Sequence, residues 1–214
     1  MKVYQEIKLL ESPEIPLHFL WSKVFQQIHL GLVEMKDDQG RVPIGISFPD
    51  YVADEKYSVL GGKCRLFAHD EATLIRFNTQ KWLEHLKDYV HCTTIRPVPD
   101  KVKGYGIFQR EQPKTNHVRL ARRYARRHNM DIDTALHSTV QLRKHIGPSD
   151  ATYKMEFRYC DLLEKKTLTP FILLDSLSNR HTYCLRIKRI DVSDPNGEYF
   201  NSYGLSSSST VPEF

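Results

Sequence analysis

The chain has 214 residues, of which 40% are hydrophobic and 27% charged, with a formal net charge of +5 and four cysteines. This composition excludes a disordered chain and leaves room for one large domain or two small ones. No apolar run reaches the roughly 18 residues of a membrane span, and the first residues, MKVYQEIKLLESPE, lack the apolar core of a signal peptide. The sequence therefore predicts a cytoplasmic protein, and its widely spaced cysteines indicate neither a zinc site nor a disulfide framework.

Strand-like and helix-like runs alternate over the first hundred residues. VYQEIKLL is typical of a strand, and LHFLWSKVFQQIHLGLVEM carries apolar residues at helical spacing. IGISF and KCRLFA are then predicted as strands, ATLIRFNTQKWLEHL as a second helix and VHCTTIRPV as a last strand. The order βαββαβ over residues 1–97 predicts an α+β protein whose first domain is ferredoxin-like, a fold that says little about function by itself.

A second domain is predicted after a linker at residues 98–106, which are rich in proline, glycine and charge. This α/β domain, residues 107–214, begins with the extended stretch IFQREQ. An arginine-rich helix at about 117–128, a further helix within DIDTALHSTVQLRKH and strands around FILLDSL and TYCLRIKRI follow. Residues 145–166 have the character of an insertion that forms a hairpin or a protein contact, and the late SSSST run has the composition of a flexible linker. The D-x-D of DIDTAL favours a helix cap over a metal site.

The segment RLARRYARRH holds five arginines: Arg119, Arg122, Arg123, Arg126 and Arg127. Their spacing of i, i+3, i+4, i+7 and i+8 places them on one face of a helix, opposite Leu120, Ala121, Tyr124, Ala125 and His128. Residues 101–128 contain nine Lys or Arg and one acid, a net charge of +8 against +5 for the whole chain. A basic stripe this local indicates a polyanion such as nucleic acid, although a merely solvated basic face has the same pattern. A membrane surface is less favoured because the opposite face lacks large apolar residues.

Four motifs in this order carry a resemblance to a known family: QQIHLGLV, IGISFPDY, FQREQPKTNHVRLARRYARRH and SYGLSSSSTVPEF. Together they resemble the subtype I-F CRISPR repeat-processing endoribonuclease family, and the match runs from the first strand to the last residue. The resemblance implies an enzyme that cuts precursor CRISPR RNA beside a stem-loop in each repeat. It also implies cleavage without metal, by attack of the ribose 2′-hydroxyl on the adjacent phosphate, and an enzyme that stays on its product.

The resemblance assigns the chemistry to a few side chains. His29 matches the catalytic histidine, and its place at the edge of the apolar stripe lets it reach a cleft. Ser176 matches the active-site serine, whose hydroxyl holds the 2′-oxygen, and Ser178 on the same strand face is a second serine in support. Tyr203 of YGLS matches the tyrosine that orients the histidine. No cofactor or metal is expected, since the acids do not cluster as a two-metal nuclease requires. Glu213 is expected near the site as an acid outside the family pattern.

RNA binding is assigned to other residues by the same resemblance. The arginine helix lies in the major groove of the stem-loop, where its five arginines face phosphates or the lower base pairs, as the deep, narrow groove of A-form RNA favours. Arg110 and Gln112 match a base-reading pair, which suits bidentate bonds to guanine and adenine. Lys114 and Asn116 precede the helix as further RNA contacts. Tyr183 matches an aromatic position near the cut site, where the ring is the shared feature and the hydroxyl is idle.

The expected partners are precursor and mature CRISPR repeat RNA and the other subunits of a type I-F surveillance complex in a prokaryotic cytoplasm. An alternative from another class stays open, a non-catalytic subunit that binds an RNA hairpin with the same basic stripe. General binding of double-stranded RNA or DNA is a third, weaker alternative.

Overall fold

A computed structural model describes residues 1–10, 12–112, 117–145, 152–161, 168–176 and 181–214. The helices of this part of the chain are α1 (Leu17–Glu34), α2 (Glu71–Phe77), α3 (Thr79–Leu83), α4 (His117–His128) and α5 (Ile132–His137). Two 3-10 turns, Glu84–Leu86 and Tyr159–Asp161, complete the helical segments. None of the described helices is long and apolar enough to span a bilayer.

The strands, numbered in chain order, are β1 (Val3–Leu9), β2 (Gly45–Ser47), β3 (Val52–Ala53), β4 (Ser58–Val59), β5 (Lys63–Ala68), β6 (Val90–Cys92), β7 (Arg96–Pro97), β8 (Gly104–Glu111), β9 (Thr139–His145), β10 (Thr152–Arg158), β11 (Phe171–Asp175), β12 (Thr182–Val192) and β13 (Val211–Glu213). All of their pairings are antiparallel. The protein is therefore a mixed α/β structure with antiparallel sheets and few helices.

Two sheets organise the larger part of the described chain. The first has the order β2-β5-β1-β6, with β7 on β1, and the second has the order β11-β12-β8-β13. Helix α1 buries residues at spacings of three and four, including Val24, Ile28 and Leu32, in a core to which both sheets contribute. The Phe48 ring lies 6.1 Å from the Phe25 ring of α1 and 5.8 Å from the Phe108 ring of β8. One continuous core thus fixes α1 relative to β8, β11 and β12.

The chain forms two compact units. Residues 1–111 and 168–214 make the first, and residues 112–167 make the second. The second unit has its own small core around Ala121, Ala125, Ala135 and Tyr159, and it contains α4, α5 and the β9–β10 hairpin. The functional boundaries predicted from the sequence, 1–97 and 107–214 with a linker between, stay a prediction.

Two predicted elements are wrong in extent. The second predicted helix breaks at Asn78, which has a left-handed φ of 51° and ends α2 while its side chain caps α3. The last strand of the first domain is also interrupted, since β6 and β7 are separate pieces that both pair with β1. Sequence periodicity did not reveal either break, because an asparagine costs little in the left-handed conformation and leaves the apolar spacing unchanged.

Polar loops are more ordered than their composition suggests. The Ser206 Oγ accepts the N–H groups of Ser208 and Ser209, and the Ser209 hydroxyl donates to the Tyr199 carbonyl. The serine run, although linker-like in composition, is therefore held by hydrogen bonds to its neighbours. Asp131 caps α5 by accepting from the Thr134 N–H at 2.8 Å, which confirms a helix cap in DIDTAL.

Candidate active site

Helix α1 presents His29 beside its buried stripe. Ile28 and Leu32 are fully buried in the core, whereas His29 is half-buried, one position of about 100° around the helix from Ile28. The edge position expected from the sequence is confirmed. From there the imidazole leaves the core and reaches a turn near the end of the chain.

That turn runs from Asn201 to Leu205. The Asn201 side-chain oxygen accepts the N–H groups of Tyr203 and Leu205, and the Gly204 N–H donates to the Asn201 carbonyl. Gly204 has a φ of 69°, in the left-handed region that favours glycine. The Gly204 carbonyl then accepts the N–H of Ile46 on β2. The turn is tied to the first sheet, and it exposes a carbonyl, that of Ser202, and a ring, that of Tyr203.

His29 contacts both of these groups. Its Nδ1 lies 2.7 Å from the Ser202 carbonyl oxygen, and its ring stacks on the Tyr203 ring with centroids 4.2 Å apart and planes 7° from parallel. Because a carbonyl can only accept, Nδ1 carries the proton and donates it. In the neutral imidazole the lone pair is therefore on Nε2, the nitrogen that these contacts leave for chemistry.

The surroundings of His29 favour its neutral form. Burial lowers the pKa of His29 below its ordinary value, the hydrogen bond to Ser202 opposes this, and the positive charge of Lys36 lowers the pKa further. A histidine with a lowered pKa is largely unprotonated near neutral pH, as a general base must be.

Two tyrosines and an arginine extend this arrangement. The Tyr183 hydroxyl lies 2.9 Å from the Tyr203 hydroxyl, and the Arg110 guanidinium lies 5.7 Å from the centroid of each ring. Burial raises the pKa of Tyr183, and the hydrogen bond with Tyr203 raises it further. The Tyr183 hydroxyl is thus engaged rather than idle, and it braces the ring that covers His29.

Ser176 follows β11 directly and stands at the same opening. Its N–H donates to the His181 carbonyl at 3.0 Å, which closes the end of the β11–β12 pairing. Ser178, the second predicted serine, lies outside the described residues.

These side chains line one open cleft of about 680 Å³. The structure brings together five of the predicted site residues: His29, Arg110, Ser176, Tyr183 and Tyr203. Glu213 is not among them, so its expected place beside the site is wrong. It pairs with Gly104 on β8, about 20 Å along the strand from Arg110, and lines another cleft with Arg189.

Comparison with known proteins decides the family. The family model described as CRISPR-associated protein (Cas_Csy4) matches residues 4–214. The chain belongs to the Cas_Csy4 family.

Two curated relatives of this Cas_Csy4 family member bear the name CRISPR-associated endonuclease Cas6/Csy4. One, from Escherichia coli (strain UTI89 / UPEC), is 30% identical over 216 residues, and the alignment covers 100% of both chains. The other, from Pseudomonas aeruginosa (strain UCBPP-PA14), is 33% identical over 216 residues with the same full coverage.

Several groups in the cleft of this Cas_Csy4 family member were not predicted. The Ser202 group is a backbone carbonyl, so the pattern of side-chain types does not predict it. Lys36 comes just after the end of α1 at Glu34, so helical spacing does not predict where it lies. His181 lies two residues before Tyr183, so strand alternation could have found it.

The arginine helix of this family member lies in the second unit as α4, at His117–His128, the predicted position. All five arginines are exposed, while Ala121 and Ala125 are buried and Tyr124 packs beside Tyr159. The exposed basic face and the opposite packing face are both confirmed. Gln112 is exposed, and Lys114 and Asn116 lie outside the described residues.

Proposed function

We propose that this chain is an endoribonuclease that binds the stem-loop of CRISPR repeat RNA and cuts precursor CRISPR RNA beside it, releasing guide RNAs. Family membership and relatives named as CRISPR-associated endonucleases support the proposal. The enzyme works in a prokaryotic cytoplasm, keeps its product and joins the other subunits of a type I-F surveillance complex. Its first sheet, with the order β2-β5-β1-β6 and intervening helices, supports a ferredoxin-like first domain.

One observation carries the catalytic part of the proposal. A histidine that lines an open cleft donates from Nδ1 to a carbonyl and stacks its ring on a tyrosine, and neither contact uses Nε2. Fixing one nitrogen and one ring face selects the tautomer and the direction of the remaining lone pair. A merely structural histidine has no need of the open cleft.

The reaction follows from these positions. His29 Nε2 takes the proton of the ribose 2′-hydroxyl upstream of the cut, and the 2′-oxygen attacks the adjacent phosphorus. Ser176 holds the 2′-oxygen in line with the leaving 5′-oxygen, and Tyr203 keeps the imidazole in place. The products are a 2′,3′-cyclic phosphate and a 5′-hydroxyl, and no step requires a metal ion.

RNA binding uses the basic residues outside this reaction. The five arginines of α4 contact phosphates of the stem-loop, which releases counterions and makes affinity fall steeply with salt. Lys114 and Asn116 add contacts before the helix, and Arg110 with Gln112 reads bases of the stem. Arg110 also stands at the cleft, over Tyr183 and Tyr203, which supports its contact with the nucleotides next to the cut.

The test uses the repeat RNA of the array from the protein's own genome, in excess chelator, with and without a 2′-deoxy substitution just upstream of the cut. We expect cleavage of the unmodified RNA alone, with a cyclic phosphate at the new end. Cleavage of both RNAs, or a requirement for a divalent ion, would contradict the mechanism. Tight binding of both without cutting would favour the hairpin-binding alternative.

Two variants separate binding from cleavage in the same assay. His29→Ala should bind the RNA nearly as well as the wild type and lose cleavage, by at least about 100-fold for loss of a general base. Arg123→Ala should weaken binding and lower the slope of log affinity against log salt by about one, with cleavage retained at saturation. If both variants changed only affinity, the catalytic assignment of His29 would be wrong.

A further inference from the structure

A second histidine stands in the cleft that contains His29. His181 comes directly before β12, is exposed, and lines the cleft together with Ser176 and Tyr183. Neither the family motifs quoted above nor the names of the relatives give it a role. Within the described residues its imidazole has no hydrogen bond or ion pair that would mark it as a structural group.

The strand register places His181 beside Ser176. Asp175 pairs with Thr182 and the Ser176 N–H donates to the His181 carbonyl, so His181 stands across the hairpin from Ser176. Residues paired in this way have β-carbons about 5 Å apart. His181 also has the same strand face as Tyr183, two residues on, whose hydroxyl bonds Tyr203. Ser176 therefore lines the cleft together with His29 of α1 and with His181, its neighbour across the hairpin.

The reaction needs a group of this kind. In an in-line displacement the nucleophile and the leaving oxygen lie on opposite sides of phosphorus, so an imidazole placed to accept the 2′-proton cannot also reach the 5′-oxygen. The 5′-oxygen leaves as a strongly basic alkoxide unless a proton reaches it. Lysine and arginine hold their protons too tightly to be effective acids near neutral pH, whereas histidine populates both of its forms there.

We propose that the His181 imidazolium is the general acid that protonates the leaving 5′-oxygen, an inference that rests on the proposed ribonuclease function. The 2′-oxygen forms its bond to phosphorus as the bond from phosphorus to the 5′-oxygen breaks. One proton passes from the 2′-hydroxyl to His29 Nε2, and another passes from His181 to the 5′-oxygen. Atoms and charge balance without a further reactant, and the two histidines exchange their protonation states.

The two histidines differ in how far the protein buries them. His29 is half-buried under Tyr203, and that burial lowers its pKa toward the free base. His181 is exposed to solvent at the same cleft, which Asp175 also lines. Lys36, just after the end of α1, and Arg110 of β8 line the same cleft, and Tyr183 and Tyr203 complete the titratable groups among its described lining residues. Because the proposed mechanism needs His29 as the free base and His181 as the acid, the cleavage rate should fall at both acidic and alkaline pH.

The experiment measures single-turnover cleavage by the wild type and by His181→Gln, each at saturating concentration. One substrate is the normal repeat RNA, and the other has sulfur in place of the bridging 5′-oxygen at the cut. A thiolate leaves without protonation, so the acid matters only for oxygen. We expect His181→Gln to slow cleavage of the oxygen substrate by about 100-fold or more and that of the sulfur substrate by less than about threefold. The alkaline fall of the rate should also disappear in the variant.

His85→Gln is the matched control, because His85 is exposed in the Glu84–Leu86 turn and does not line the cleft. It should cut both substrates at the wild-type rate. A His181→Gln protein that cuts the oxygen substrate normally, or that is slowed equally on both substrates, would overturn the acid role. A wild-type protein that cuts neither substrate would instead overturn the ribonuclease function itself, so the two failures are distinct.

Discussion

Tyr203 covers one face of the His29 ring with a nearly parallel stack, and this contact has two effects on His29. It fixes the ring direction, and it keeps water from that face, which contributes to the burial that lowers the pKa of His29. The hydroxyl of Tyr203 makes a separate contact with Tyr183. The stack and the hydroxyl can therefore be tested apart.

Substitution at Tyr203 should move the pH dependence of cleavage. Below the pKa of His29 the base is protonated and the rate falls, so a lowered pKa places this acid limb below the ordinary value near 6.5. Tyr203→Leu removes the stacked ring, admits water and should shift the limb upward toward that value. Tyr203→Phe keeps the stack and should leave the limb where it is. The measurement is the single-turnover rate against pH, and an upward shift in Tyr203→Phe but not in Tyr203→Leu would contradict this account.

At the scale of elements, the turn from Asn201 to Leu205 explains why the YGLS motif has a glycine. A β-carbon on Gly204 would lie 2.5 Å from the Ile46 Cγ1, and the φ of 69° disfavours any side chain. Ile46 is buried in β2, so it cannot move aside easily. The glycine lets the turn approach the sheet closely, and this approach holds the Ser202 carbonyl against His29.

Gly204→Ala should therefore damage both stability and cleavage. The left-handed backbone alone costs an alanine about 1–2 kcal/mol, and the clash with Ile46 adds to it. Displacing the turn moves Ser202 and Tyr203 from His29, and a misplacement of about 1 Å is expected to slow the reaction about 100-fold. Urea unfolding and single-turnover cleavage measure the two effects.

Gly40→Ala is the control for this substitution. Gly40 has a similar φ of 74°, but nothing lies within 4 Å of an added β-carbon. Gly40→Ala should lose only the unfolding free energy that the left-handed backbone costs an alanine, and it should keep the wild-type cleavage rate. Equal losses of rate in the two variants would mean that the close approach to Ile46 is not what positions the turn.

At the scale of the molecule, the two compact units have separate cores and differ in the spectroscopic signals that report their unfolding. Both tryptophans, Trp21 and Trp82, belong to the unit of residues 1–111 and 168–214, so their fluorescence reports on that unit. Far-UV circular dichroism also includes the helices of residues 112–167. Unfolding of the second unit should therefore be visible by dichroism and not by fluorescence.

A charge in the second core should reveal this difference. Ala121 is fully buried, so Ala121→Asp places a carboxylate in an apolar core and should lower the urea midpoint of part of the dichroism change, with the fluorescence midpoint unchanged. Phe67→Ala in the first core should instead reduce the unfolding free energy of that unit by about 3–5 kcal/mol. This loss should lower the fluorescence midpoint. A fluorescence midpoint that falls with Ala121→Asp would mean that the two units unfold together.

Local elements were largely predictable, whereas contacts between distant segments were not. Arginine spacing predicts α4, and strand alternation predicts β5 and β12, because each pattern lies within one short stretch. The family resemblance led to His29 and Tyr203, but the Ser202 carbonyl that sets the tautomer has no side-chain signature. Asn78 breaks a helix without changing its apolar spacing. The cleft depends on how four separate stretches come together, and only tertiary packing fixes that.

The hydrogen bond between His29 and Ser202 joins residues 173 positions apart in the chain. At ordinary translation speeds of about 5–20 residues per second, the ribosome makes the histidine on the order of 10 to 30 s before its partner carbonyl exists. The tautomer that this bond selects is therefore not fixed until Ser202 has been made and its turn has folded. A chain that ends before this turn has the arginine helix but lacks the completed cleft, so synthesis itself delays completion of the cleft until the turn has folded.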